Sequence, residues 1–183
     1  MYLEDVHTNV LGTPFVKPFQ LEDKMFEHIL SSYYVFTFVR NPFERILSAY
    51  LDKVANDRPE CLEICSDLCV GSGRDVTFRD FLSAVESRLK IGQYVDKHWR
   101  PQYLQCGSGT IQLRSAGKVE SIDKDFSRIL KDLGCSSDRL ITINPHATNA
   151  KEKIAQYYDN DCRDRVVRMY KDDFEQFGYD TVL

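Results

Sequence analysis

Apolar residues crowd one stretch of this chain almost without interruption. Tyr33, Tyr34, Val35, Phe36, Thr37, Phe38 and Val39 are all aromatic or β-branched. Such a run predicts a central strand of a parallel sheet, buried on both faces. Directly after it the period changes. Phe43, Ile46, Leu47, Tyr50, Leu51 and Val54 recur at i, i+3, i+4, i+7, i+8 and i+11, the buried stripe of an amphipathic helix. Asn41 suits the N-cap, Pro42 the first helical position and Glu44 the third, close to a capping box. Arg45, Ser48 and Asp52 share another face of that helix.

The same patterns place the other elements. A helix is predicted over 20–32, with Leu21, Met25, His28 and Ile29 on one side and His28 as a packed histidine. Residues 56–74 are polar and cysteine-rich and read as an excursion. A helix runs to about Lys90 on the stripe Phe78, Phe81, Leu82, Val85 and Leu89. Residues 92–109 read as irregular and 112–119 as a strand. A helix over 121–133 has Ser121 as its cap and Gly134 past its end. A short strand at 140–143 and helices at 149–159 and 162–174 close the chain. No repeat, low-complexity tract or dividing linker occurs, so one α/β domain over 1–183 is expected.

Arg40 stands where the strand ends and the helix begins. In open α/β sheets ligands bind outside the carboxyl ends of strands. A guanidinium fork there, a serine hydroxyl at Ser48 and a helix N-terminus nearby form a place suited to an anion. The alternative gives Arg40 a carboxylate partner and leaves Ser48 as a small packed residue.

Four blocks then carry a resemblance. FTFVRNPFERILSAYLDK, residues 36–53, resembles the 3′-phosphate-binding motif of the carbohydrate sulfotransferases, in the Golgi group that contains the HNK-1 and chondroitin 4-O-sulfotransferases. That motif is a hydrophobic strand followed by R-[DEN]-P-[FY]-x-R-[LIV]-x-S-[AS]-[YF] and a basic residue. DKHWRPQYLQC resembles the group's D-x-H-W-x-P block and the cysteine after it. AGKVESIDKDFSRILKDLG resembles its I-G-K-x-E-x-x-x-x-D segment. VVRMYKDDFEQFGYD resembles its closing Y-x-x-D-[FY]-x-x-F-x-Y. The four stand in order over most of 33–180.

The resemblance implies a P-loop-NTPase-like parallel sheet flanked by helices. It implies 3′-phosphoadenosine 5′-phosphosulfate (PAPS) as sulfuryl donor, with Arg40 and Ser48 matching the residues that hold its 3′-phosphate. The implied reaction is sulfuryl transfer to a hydroxyl of a carbohydrate acceptor, catalysed by positioning and electrostatics with a base for the acceptor proton. The implied compartment is the Golgi lumen, or the cytoplasm for a bacterial relative.

One family feature has no match. The Gly-rich loop that cradles the 5′-phosphosulfate would precede residue 33, where only Gly12 is available. The Gly-Ser-Gly stretches at 71–73 and 107–109 read as turns. The expectation is a sulfotransferase domain truncated at its N-terminus, whose missing front would hold the loop and a membrane anchor. The rival is a non-catalytic nucleotide- or glycan-binding module on a degenerate form of the fold. A P-loop nucleotide kinase fits poorly, because the Walker loop is absent and the other blocks do not match.

Two histidines are candidate catalytic bases. His7 lies in the region where related sulfotransferases place a catalytic histidine or glutamate; otherwise it is an N-terminal histidine without a role. His98 follows Asp96, which can orient it through a ring N–H; otherwise the two belong to a structural network beside Trp99. His146 is placed toward the cofactor end. Lys118 and Glu120 match family positions, and a structural pair between strands explains them as well.

Composition limits the partners. Apolar residues make up 43% and aromatics 12% of the chain, which excludes a disordered chain. The net charge of −4 gives no reason to expect nucleic acid, although Arg40, Arg45 and Lys53 can form a local basic groove. No apolar run reaches the ~18 residues of a membrane span. Six cysteines are an even number, consistent with disulfides in an oxidising lumen, while no N-x-[ST] sequon occurs. Cys61, Cys65 and Cys69 are spaced by four, not as the C-x-x-C of a zinc site, so no metal is expected. Acceptor choice is assigned to 56–74 and 92–109.

Overall fold

A computed structural model describes residues 21–107, 111–135 and 148–183. The chain divides into two compact units, Met1–Val35 and Phe36–Leu183. In the first unit the described element is helix α1, Asp23–Ser32, which buries none of its residues. His28 is exposed, with Nδ1 3.3 Å from the Ser32 hydroxyl and its ring edge-on to Tyr33. The packed position predicted for it is therefore not found: the stripe has no apolar partner among the unit's described residues.

The second unit opens with strand β1, Phe36–Val39, and helix α2, Pro42–Ala49. Asn41 caps α2 through Oδ1, which accepts the Phe43 N–H at 2.9 Å. Pro42 takes the first helical position, where its missing N–H costs nothing. The stripe then buries Phe43, Ile46 and Leu47 completely. Each such side chain contributes about 1.5–3 kcal/mol. Beyond Ala49 the helix widens into a π-helical turn, Tyr50–Val54, where a regular continuation was predicted.

The excursion after it is ordered, with a 3₁₀ turn at Pro59–Cys61 and a short helix α3, Leu62–Asp67. Helix α4, Phe78–Lys90, is capped by Thr77 and buries Phe78, Phe81, Leu82 and Val85. A helical turn α5, Gln102–Gln105, interrupts the segment predicted as irregular. Strand β2, Ser115–Lys118, leads to α6, Ile122–Asp132. Ser121 precedes α6, but its hydroxyl donates to Asp125 at 2.6 Å instead of accepting a backbone N–H. Helices α7, Ala150–Tyr157, α8, Asn160–Met169, and α9, Lys171–Phe177, follow. The last two were predicted as one helix. Tyr170 breaks it at φ −115°, ψ 27°, because its buried hydroxyl reaches the Trp99 carbonyl at 2.5 Å.

β1 and β2 run parallel, with Phe36 opposite Ser115 and Val39 opposite Lys118. Among the described residues the sheet has these two strands. The predicted burial of β1 on both faces holds for Val39 alone, and Phe36 is exposed, because β1 has one strand neighbour among those residues. The strand begins at Phe36, short of the predicted 33–39. The strand predicted at 140–143, His7, Gly12, His146 and Gly109 lie outside the described residues.

The core sits between α2, α4, α8 and α9. Phe43 stacks edge-on against Tyr158 and packs on Phe174, and Trp99 meets Phe81 edge-on. All six cysteines are free thiols, against the expectation of disulfides. Cys61 and Cys65 approach each other, but their Sγ atoms stand 3.5 Å apart, well beyond the ~2.05 Å of a bond. No helix among the described residues is long and apolar enough to cross a membrane.

Candidate functional site

Parallel pairing brings the carboxyl ends of β1 and β2 to one side, and Arg40 follows β1 there. Its backbone is held from both sides by one amide. The Arg40 N–H donates to Gln102 Oε1, and Gln102 Nε2 donates to the Arg40 carbonyl, both at 2.8 Å. Gln102 is itself fixed by Asp173, whose carboxylate accepts the Gln102 and Tyr103 N–H groups at 2.8 Å each. Asp173 is wholly buried. Burial pushes its carboxyl up, against the pull of those two N–H donors and of Arg45. A line of hydrogen bonds thus runs from α9 through α5 to the backbone of Arg40.

The Arg40 side chain keeps most of its donors. Among the described residues its one carboxylate contact is Glu44 at 3.4 Å, and it remains 30% exposed. The carboxylate partner of the alternative reading is therefore present but holds only one corner of the guanidinium. Arg45 and Lys53 are used up elsewhere. Lys53 pairs with Asp52 at 3.2 Å and Glu60 at 3.3 Å. Burial opposes its charge, but those partners outweigh it and raise its pKa. Of the three cations anticipated for a basic groove, Arg40 is the one whose donors are left open among the described residues.

A second group closes the turn between β1 and α2. The Asn41 N–H donates to Glu120 Oε1 at 2.6 Å. The Tyr179 hydroxyl reaches Glu120 Oε2 at 2.9 Å and the Val39 carbonyl at 3.1 Å. Burial, then the Glu120 charge, raises the Tyr179 pKa, so the phenol stays protonated. Lys118 donates to the Gly178 carbonyl at 2.8 Å and lies 4.2 Å over the Tyr179 ring. Lys118 and Glu120 therefore each grip the C-terminal segment instead of pairing with each other. Asp125 completes this block by accepting the Lys118 N–H at 2.9 Å.

Ser48 lies about two turns beyond Arg40. Its Oγ accepts a hydrogen bond from the Thr148 hydroxyl at 2.9 Å. His98 sits on the segment before α5. Its Nδ1 is 2.6 Å from Asp96 Oδ1, which also accepts the His98 backbone N–H at 2.8 Å. The imidazole is 30% exposed, while Trp99 beside it is buried. Arg45, on α2, straddles this segment: Nη2 donates to the Lys97 carbonyl and Nη1 to the Arg100 carbonyl, both at 2.8 Å. Burial lowers the Arg45 pKa, against the support of Tyr170 and Asp173.

One helix therefore carries Ser48, begins directly after Arg40, and tethers the loop of His98. Sequence reasoning missed Gln102, Thr148 and the part played by Glu120. Gln102 stands inside the DKHWRPQYLQC block, which is the one signal that marks it. Among the described residues no cluster of three or more His, Cys, Asp or Glu is placed to hold a metal ion.

The sequence matches the model of the sulfotransferase family over residues 3–180. Carbohydrate sulfotransferase 11 of Rattus norvegicus is 25% identical over 170 residues, covering 83% of this chain and 48% of the relative. Carbohydrate sulfotransferase 10 of Xenopus laevis is 28% identical over 207 residues, covering 97% of the chain and 57% of the relative. Carbohydrate sulfotransferase 14 of Danio rerio is 33% identical over 118 residues, covering 58% and 32%. The chain spans about half the length of the relatives it matches. No solved structure matches it.

Proposed function

The chain belongs to the sulfotransferase family, and from that premise we propose that it binds the 3′-phosphate end of PAPS and serves sulfuryl transfer to a carbohydrate hydroxyl. The observation that carries this reading is the placement of Arg40. Its backbone is locked at the carboxyl end of β1 while its guanidinium, among the described residues, keeps free donors. The residues present fit the nucleotide: a planar fork from Arg40 and one hydroxyl from Ser48 suit a phosphate dianion. Bound there, PAPS would supply an activated sulfuryl group with adenosine 3′,5′-bisphosphate as the leaving group.

The chain's own groups then have separate tasks. Arg40 and Ser48 bind and orient the 3′-phosphate. His98 takes the proton of the acceptor hydroxyl at Nε2, with Asp96 holding Nδ1–H and steadying the imidazolium. Arg45 keeps the His98 loop on the helix that carries Ser48. β1, followed by α2 and paired in parallel with β2, supports a P-loop-NTPase-like sheet flanked by helices. A carbohydrate acceptor and the Golgi lumen are the substrate class and compartment that go with this reading, on the strength of the named relatives and the sequence blocks.

The test is calorimetric binding of adenosine 3′,5′-bisphosphate and adenosine 5′-monophosphate to the wild type and Arg40→Ala. The expected result is tighter binding of the bisphosphate, with the preference lost in the variant. Equal binding of the two nucleotides by folded wild-type protein would overturn the reading and leave a binding module without this site.

A further inference from the structure

Ser48 differs from an ordinary helical serine in where its proton goes. A hydroxyl has one donor and two acceptor sites. Within a helix it commonly turns its proton onto the carbonyl one turn back. Ser87 on α4 does so, donating to Ser83 at 2.9 Å. Ser48 makes no such bond among the described residues. Instead its oxygen accepts the Thr148 proton at 2.9 Å, across 100 positions of sequence. One lone pair is occupied, and among the described residues no acceptor takes the Ser48 proton.

Thr148 is not a hydroxyl on a loose end. It directly precedes α7, which packs on α2. Asn149 makes the turn into that helix in the left-handed region, at φ 50° and ψ 36°, a conformation asparagine tolerates better than most residues. Ala150 is buried, and beyond the far end of α7 the Tyr158 hydroxyl donates to the Phe43 carbonyl of α2 at 2.8 Å. The helix is therefore packed on α2 and tied to it through Tyr158, and Thr148 stands just before it, within reach of Ser48.

We infer that Thr148 is a positioning residue for the 3′-phosphate, acting through Ser48. By donating to Ser48 it keeps the serine proton off the helix backbone and free for a phosphate oxygen. A hydroxyl that accepts one hydrogen bond is also the stronger donor in the next, so the pair forms a short cooperative relay. This inference rests on the nucleotide reading above.

The test measures dissociation constants of the full chain for adenosine 3′,5′-bisphosphate and adenosine 5′-monophosphate, in wild type, Thr148→Val and Thr148→Ser. The monophosphate reports the rest of the nucleotide site and the integrity of the fold. The expected result is a preference for the bisphosphate that falls about fivefold to tenfold in Thr148→Val, the size of one neutral hydrogen bond. Thr148→Ser, which keeps the donor, retains the wild-type preference. A wild-type preference that persists in Thr148→Val, or falls equally in Thr148→Ser, overturns the inference and leaves the nucleotide reading standing. A wild type without any preference overturns both.

Discussion

Glu120 Oε1 accepts the Asn41 backbone N–H at 2.6 Å, and so performs for α2 the task that a capping-box glutamate performs within its own helix. Glu44, the local candidate, turns to Arg40 instead. Removing the remote cap with Glu120→Ala is expected to cost about 1 kcal/mol, the usual size of a lost helix cap. The Tyr179 phenol loses a partner in the same step. Urea midpoints followed by far-UV circular dichroism measure the loss. Glu120→Gln, which keeps an acceptor oxygen, should recover most of it; a midpoint as low as that of the alanine variant would show that the cap is not what matters.

Arg45 supports the His98 loop with two backbone bonds that only a planar fork can make together. Arg45→Met keeps the length of the side chain but strands the Arg100 carbonyl, leaves the Lys97 carbonyl to Gln105 Nε2 alone and takes a positive charge away from Asp173. A loss of about 1–3 kcal/mol is expected. Amide exchange should speed up over residues 93–101 before it does in α4. Arg45→Lys should fare little better, because one ammonium cannot reach both carbonyls. Restoration of slow exchange by lysine would show that the charge alone suffices.

Three aspartates tie the fold to pH. Asp57 accepts the Gly73 N–H, Asp125 the Ser121 hydroxyl and the Lys118 N–H, and Asp159 the Cys162 N–H. Those bonds hold all three carboxyls below the ordinary aspartate value. A depressed folded-state pKa contributes stability that is complete above the unfolded value, about pH 4, and is lost as pH falls through the folded value. Asp173 has the opposite sign. Its raised pKa favours the fold at low pH, and that contribution fades as pH rises through the raised value. Denaturation midpoints should therefore fall below about pH 4, and Asp125→Asn should flatten that limb. An unchanged slope in the variant would remove Asp125 from the account.

What was legible in the sequence was local. Asn41, Pro42 and the stripe from Phe43 announce α2 because a cap and a 3.6-residue period act over a few positions. Gly134 ends α6 at φ 71° for the same kind of reason. Partners far apart left no such trace. Nothing near Arg40 says that Gln102 will clasp its backbone, or that Thr148 will reach Ser48. The break at Tyr170 was hidden too, since the apolar spacing runs on through it and the cause is a carbonyl at Trp99. The excess residue of the π-helical turn at Tyr50–Val54 gives no period of its own. Asp96 and His98 are the exception among the site residues, because a carboxylate two positions before a histidine can meet it within one turn.

The bond between Tyr179 and the Val39 carbonyl spans 140 positions, so β1 is made well before the residue that closes over it. At ~5–20 residues per second, β1 waits on the order of ten seconds for the tyrosine to be made. During that interval the arginine that ends the strand has neither the Gln102–Asp173 clasp nor the Glu120–Tyr179 cap. Closing so distant a contact is a slow step in any chain. The arginine proposed to hold the phosphate is thus made long before the partners that fix it, and the emerging protein passes through a stage in which that side chain is on display before it is in place.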